Sequence, residues 1–305
     1  MNTVNIVAAS NNLYVPYLSV MLQSVKNYGQ YSRKYSVTIL HTDIAKENQD
    51  ILANQLQHSK IKVEFINVSK IMSNYSNLFI SNHIKIETYF RLLLPDLMPS
   101  VEKVLYIDCD VIANYDVAEL FDIDIEDYFL VGTRDADSAA NYINDEDYHN
   151  YLDDVIKLEN PYDYMQAGII VMNLKKFRKE CSTAKLLKTA LSRNWRFHDQ
   201  DTLNYLCKGK IKFIDYAWNF VYDYNEGFRR SKEILPNAPH YIYQDYLKAK
   251  RNPKMIHFSW VDKPWFSPGV HFGEKWWMIA RQTPYYSELL LRTEKYLAEY
   301  IINQR

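Results

Sequence analysis

The chain has 305 residues, 48% of them hydrophobic, enough for one large α/β domain or one domain with an appendage. Lys plus Arg number 36 against 37 Asp plus Glu, so no global charge favours nucleic acid or an anionic membrane. The three cysteines (Cys109, Cys181, Cys207) form no C-x-x-C, which argues against a disulfide framework or a zinc site and suits a reducing cytosol.

The N-terminus, MNTVNIVAASNN, lacks a basic region followed by a long apolar one, so no signal peptide is expected. Residues 4–10 (VNIVAAS) read as a buried strand. Pro16 suits the first turn of a helix whose stripe is Leu18, Met21, Leu22 and Val25, stopped by Gly29. A second strand (35–43), a second helix (45–57) and a third strand (61–68) follow. Segment 84–94 reads as a helix halted by Pro95, and KVLYID (103–108) as a fourth strand. Strands alternating with helices predict an open, largely parallel sheet, which binds ligands beyond the carboxyl ends of its strands.

The fourth strand ends in Asp108 and Asp110. Alternation along a strand would turn both to one face, where two like charges call for something positive between them. The D-x-D spacing recurs at Asp122/Asp124, Asp135/Asp137, Asp145/Asp147 and Asp199/Asp201, but only Asp108/Asp110 closes a β-rich run and leads into further apolar residues. None of the seven glycines falls in a G-x-G-x-x-G or P-loop pattern, so a bound nucleotide would need a cation in place of a glycine cradle.

Further strands are expected at 128–135 and 167–174. Between them, 136–163 is a polar, acidic excursion, either a solvated helical insertion or part of an acceptor cleft or lid. Helices are expected at 182–194 and 199–209, a late strand at 254–260, and a helix from Ser287 that packs rather than crosses a membrane. No stretch approaches the roughly 20 apolar residues of a membrane span. The 26 Tyr and 6 Trp serve core packing or stack on sugars or nucleobases.

Six collinear stretches resemble the family 8 retaining glycosyltransferases, which include bacterial lipopolysaccharide galactosyl- and glucosyltransferases and glycogenin. They are VAASNNLYVPYLSVMLQSV (7–25), HIKIETYFRLLLPDLMPSVEKVLYIDCDVIA (83–113), YMQAGIIVMNLKKFR (164–178), HDQDTLNYL (198–206), WNF (218–220) and IHFSWVDKPW (256–265). The resemblance implies a GT-A fold, Rossmann-like, with a mostly parallel mixed sheet flanked by helices. The catalytic domain would span 1–265, with a small helical extension at 266–305 packed on it. It also implies a UDP-galactose or UDP-glucose donor, Mn²⁺ (or Mg²⁺), and transfer with retention to an oligosaccharide, glycolipid or glycoprotein acceptor. Cytoplasmic placement, with at most peripheral membrane association, goes with it.

By the same resemblance Asp108, Asp110 and His257 would hold the metal, and Lys263 the diphosphate. Ala9, Asn11 and Tyr14 match the uridine pocket, with Ile84 and Cys109 as further donor contacts. Arg91 would reach the donor sugar and phosphate, while Asp135, Asp199, Gln166 and Ala167 match its sugar contacts. Gln200 would lie near the anomeric carbon. The chain departs from the pattern at Asn11 (usually Asp), Gln166 (Asn in similar galactosyltransferases) and Trp260 (often Gly). An amide at 200 is a poor nucleophile, so a front-face transfer is expected, with Gln200 and Asp199 stabilising positive charge and Lys263 negative charge. Two alternatives are a non-catalytic sugar-binding module and a haloacid-dehalogenase-type phosphatase. The latter usually opens with its D-x-D and carries Thr where this chain has Ile112.

Overall fold

The computed structural model describes residues 3–29, 32–81, 85–222, 233–259 and 262–303. Ile84 and Trp260 lie outside them. In chain order the strands are β1 (Val4–Ala9), β2 (Tyr35–His41), β3 (Ile61–Asn67), β4 (Lys103–Ile107), β5 (Val111–Ala113), β6 (Leu130–Gly132), β7 (Ile169–Asn173), β8 (Ile211–Phe213), β9 (Phe220–Val221) and β10 (Met255–His257). Seven of them form one sheet in the order β3-β2-β1-β4-β7-β6-β8, and β5-β10-β9 form a second. The large sheet is parallel except at β7, which runs against both β4 and β6.

The central strands are mostly apolar because both faces are covered. Val4, Ile6 and Ala8 of β1 join one core cluster with Leu105, Ile107, Ile169 and Val171. The alternate residues Val7, Val104, Tyr106, Ile170 and Met172 join another on the opposite face. The helix Val15–Tyr28 lays its Leu18, Met21, Leu22 and Val25 stripe on the first face. Phe177, Leu186, Leu187 and Leu203, from the helices Leu174–Glu180, Thr183–Ala190 and His198–Cys207, cover the second. Each such fully buried side chain contributes about 1.5–3 kcal/mol.

Pro95 does not halt a helix. Residues Ile86–Leu93 form a 3-10 helix, and Pro95 stands in the first turn of a short α-helix, Leu94–Leu97. A first-turn residue has no intrahelical use for its N–H, so proline fits there without loss. The strand expected over 128–135 is shorter, and Arg134 continues it only as an isolated bridge to Met165.

The C-terminal helices Gly273–Ala280 and Tyr286–Asn303 share the first-face core through Trp276, Ile279, Tyr285 and Leu289, beside Tyr17 and Trp265. Tyr17 stacks on Trp265 with centroids 4.1 Å apart, and Trp276 lies 5.1 Å from Trp265. Among the described residues, no helix is long and apolar enough to cross a membrane.

The chain turns from β1 outward to β2 and β3, then returns to place β4 on the other side of β1. The strand order therefore reverses between β1 and β4, where an open α/β sheet leaves a crevice at its carboxyl edge.

Candidate active site

Asp108 and Asp110 stand at that crevice, and a turn rather than strand alternation brings them together. β4 ends at Ile107, residues 109–110 turn, and β5 begins at Val111 in the second sheet. The aspartates therefore occupy the joint where the backbone passes from one sheet to the other. Their backbones are pinned on both sides: Asp108 N–H donates to Gly168 O at 2.8 Å, and Phe258 N–H to Asp110 O at 2.9 Å.

His257 reaches the joint through sheet register. β10 pairs antiparallel with β5, opposing His257 to Val111, the residue next to Asp110. One ligand atom from each of Asp108, Asp110 and His257 falls within 4.8 Å of the others. His257 is 2% exposed; its Nε2 lies 3.2 Å from Asp110 Oδ1 and 4.0 Å from Asp108 Oδ2. Asp110 Oδ1 is buried and accepts no aligned hydrogen bond. Two carboxylates, one of them with an orphaned buried oxygen, and an imidazole nitrogen make a donor set that suits Mn²⁺ or Mg²⁺.

Each aspartate also has its own cation. Arg91 Nη2 lies 3.0 Å from Asp108 Oδ1, and Lys263 Nζ lies 2.5 Å from Asp110 Oδ2 while also donating to Phe258 O. Burial raises the Asp108 carboxyl above its usual range against the pull of Arg91. Burial acts on Asp110 in the same sense, but the Lys263 ammonium opposes it and the carboxyl is held low.

Arg91 is no surface charge. It is 3% exposed, stacks 4.0 Å from the Tyr106 ring centroid, and donates to Ala167 O. Its Nε lies 2.9 Å from Asp199 Oδ2, and Asp199 Oδ1 accepts from Thr88 Oγ1. Asp199 is 3% exposed, with Arg91 and Thr88 on its two oxygens. Burial raises its carboxyl, with Arg91 opposing. The next residue, the half-buried Gln200, spans two elements, its Oε1 accepting Ala167 N–H at 2.9 Å and its Nε2 donating to Asp135 Oδ2 at 3.3 Å. Asp135 also caps the helix Ala136–Asn144 by accepting Ser138 N–H at 3.0 Å.

A cavity of about 260 Å³ opens beside the acid couplet, and Ala9, Asn11, Tyr14, Arg91, Cys109, Asp108 and Asp110 all line it. Asn11 Oδ1 accepts Tyr14 N–H at 3.1 Å, fixing that corner, and the carbonyl keeps a second lone pair. The Tyr14 hydroxyl is pushed up by burial and by Asp110. Cys109 donates to Ala9 O at 3.1 Å, and burial raises its thiol well out of the reactive range. A second groove, lined by Trp277, Tyr286, Leu290 and Leu297, contains none of these residues.

Sequence reasoning assigned no role to Asn219, Thr88 or Gly168. Asn219 Oδ1 lies 3.0 Å from His257 Nδ1, and its Nδ2 donates to Gln166 Oε1 at 2.6 Å. A lone amide between Trp218 and Phe220 was the available signal.

Residues 5–269 match the sequence profile of the family described as Glycosyl transferase family 8. A provisionally named glycosyltransferase of Haemophilus influenzae is 35% identical over 223 residues, covering 72% of this chain and 64% of the relative. The solved bifunctional glycosyltransferase WbbM superposes with a TM-score of 0.84 at 24% identity, over 95% of this chain and 51% of that one. The galactosyltransferase LgtC, solved with donor and acceptor sugar analogs, gives 0.72 at 23% identity, over 92% and 96%. The chain thus spans about two thirds or less of the first two of these and nearly all of the third. The structural likenesses show the GT-A fold.

Proposed function

Because the chain belongs to glycosyl transferase family 8, we propose that it moves a hexose, galactose or glucose, from UDP to a glycan acceptor. The acceptor would be an oligosaccharide, glycolipid or glycoprotein, and the transfer would retain anomeric configuration. The observation that carries this reading is the convergence of Asp108, Asp110 and His257 within 4.8 Å, beside a cavity lined by Ala9, Asn11 and Tyr14. Asp108, Asp110 and His257 would hold Mn²⁺ (or Mg²⁺), which, when bound, neutralises charge growing on the diphosphate leaving group.

The chain's own residues divide the remaining work. Tyr14 and Asn11 orient the base at one end of the cavity. Lys263, a compact positive charge beside Asp110, steadies the departing diphosphate. Arg91 holds Asp108 and, through Ala167 and Asp199, fixes the strand start and the helix that carry the sugar-binding groups. Gln200 keeps its carbonyl beside Ala167, where it faces developing positive charge without forming a covalent bond. Asp135 and Gln166 would contact sugar hydroxyls. No protein base is required if a departing phosphate oxygen takes the acceptor's proton on the same face.

The decisive assay is UDP release from a panel of UDP-hexoses with and without Mn²⁺, in wild type and Asp110→Asn. Wild type should turn over UDP-galactose or UDP-glucose only with metal, and the variant should lose about 100-fold. Release of UDP from no hexose would leave the non-catalytic sugar-binding module standing. A β-linked product from the α-linked donor would remove retention. The phosphatase alternative finds no support, since the family profile spans the D-x-D and both flanks.

A further inference from the structure

The amide Asn219 stands outside the metal-ligand triangle yet touches it, and one backbone group fixes its orientation. Gly168 N–H can only donate, and it donates to Gln166 at 2.7 Å, so the atom on that side of Gln166 is Oε1. Asn219 approaches the same Oε1 at 2.6 Å and must present its Nδ2 there. Its Oδ1 then faces His257 Nδ1 at 3.0 Å and can only accept. The imidazole must therefore carry a proton on Nδ1, and in the neutral ring this leaves the Nε2 lone pair directed at Asp110 and Asp108.

We propose that Gly168, Gln166 and Asn219 form a hydrogen-bond relay that locks His257 in the Nδ1–H tautomer, making Asn219 and Gln166 positioning residues for the metal ligand. Asn219 and His257 are each 2% exposed, so bulk water does not compete for the contact. The relay joins the small sheet, through β10 and the segment before β9, to the start of β7 in the large one. A ligand that engages Gln166 would thus be coupled to Nε2 of His257 through one shared amide. This inference rests on the proposed metal-dependent transfer for its purpose, but not for its geometry.

The test pairs two readouts. Nitrogen-15 NMR of the histidine rings in the metal-free protein, at alkaline pH, should show His257 as the Nδ1–H tautomer in wild type. Asn219→Ala should lose that single signature and weaken Mn²⁺ binding, titrated directly, by about 10–100-fold. Gln166→Met, one link further away, frees Asn219 to rotate and should give mixed tautomers with a smaller loss of affinity. An Nε2–H tautomer in wild type overturns the relay, and so do variants that bind Mn²⁺ as wild type does. If wild type shows the Nδ1–H signature yet binds no Mn²⁺, the relay stands and the metal-dependent reading fails.

Discussion

A Cβ placed on Gly168 would stand 2.2 Å from His257 Cε1, 2.8 Å from its Nδ1 and 2.9 Å from Asp108 Oδ2. These neighbours are an imidazole and a carboxylate already fixed by Asn219 and Arg91, so they cannot swing aside cheaply. Gly168→Ala should displace His257 by a fraction of an ångström or more. The expected loss in kcat/KM is about 100-fold, with an overpacking penalty of about 1–3 kcal/mol in urea unfolding. Activity within twofold of wild type would show that the imidazole's placement is not critical. At this scale Asp108 and Asp110 were legible in sequence because only they close an apolar strand. Asn219 was not: its importance comes from what lies across the sheet, a contact between residues 38 apart.

At the scale of elements, 136–163 reads in sequence as a polar stretch, yet it carries its own small core. Tyr148, Leu152 and Ile156 pack with Tyr164 and Trp195. Asp201 anchors the group: its carboxylate accepts from Tyr151 Oη at 2.6 Å, Tyr164 Oη at 2.5 Å and Phe197 N–H at 2.6 Å, and the residue is fully buried. Asp199 and Asp201 share the D-x-D spacing but sit on a helix, where residues two apart point to nearly opposite sides. One therefore serves Arg91 and the other the tyrosines. Asp201→Asn sets an amide NH₂ against a donor and should cost about 1–3 kcal/mol. The urea midpoint should fall with an unchanged m-value, and limited proteolysis should cut first within 136–163. A fall in stability with no gain in cleavage there would deny Asp201 its anchoring role. The helix pattern of this segment was readable in sequence, but its docking was not, because tyrosine hydroxyls give no periodic signal.

For the whole molecule, the alternating strands and helices, the sheet's parallel character and the site at its carboxyl edge follow from apolar runs and chain order. The second sheet did not: the strand expected at 254–260 holds β10, but β5 and β9, three and two residues long, are too short to show a period. The residues after 265 also hold more than the tail position suggests. Thr293 Oγ1 donates to Trp265 O at 2.8 Å, Arg292 Nη1 to Leu13 O at 2.7 Å, and Tyr285 Oη to Asn48 Oδ1 at 2.8 Å. Trp276 is completely buried between this extension and the N-terminal helix. Trp276→Ala should cost about 3–5 kcal/mol in a single cooperative transition. A second, separate unfolding step would instead make the extension an independent unit.

The acid couplet lies where two hydrogen-bonded ladders meet, not in a free connection. Lengthening or trimming the surrounding loops leaves the spacing of Asp108, Asp110 and His257 untouched, because register, not loop length, sets it. Slipping β10 by one position along β5 would bring Ile256 or Phe258 to the couplet and turn the imidazole to the opposite face. A scaffold of this kind can vary at its rim while the corner that gathers Asp108, Asp110 and His257 keeps one geometry.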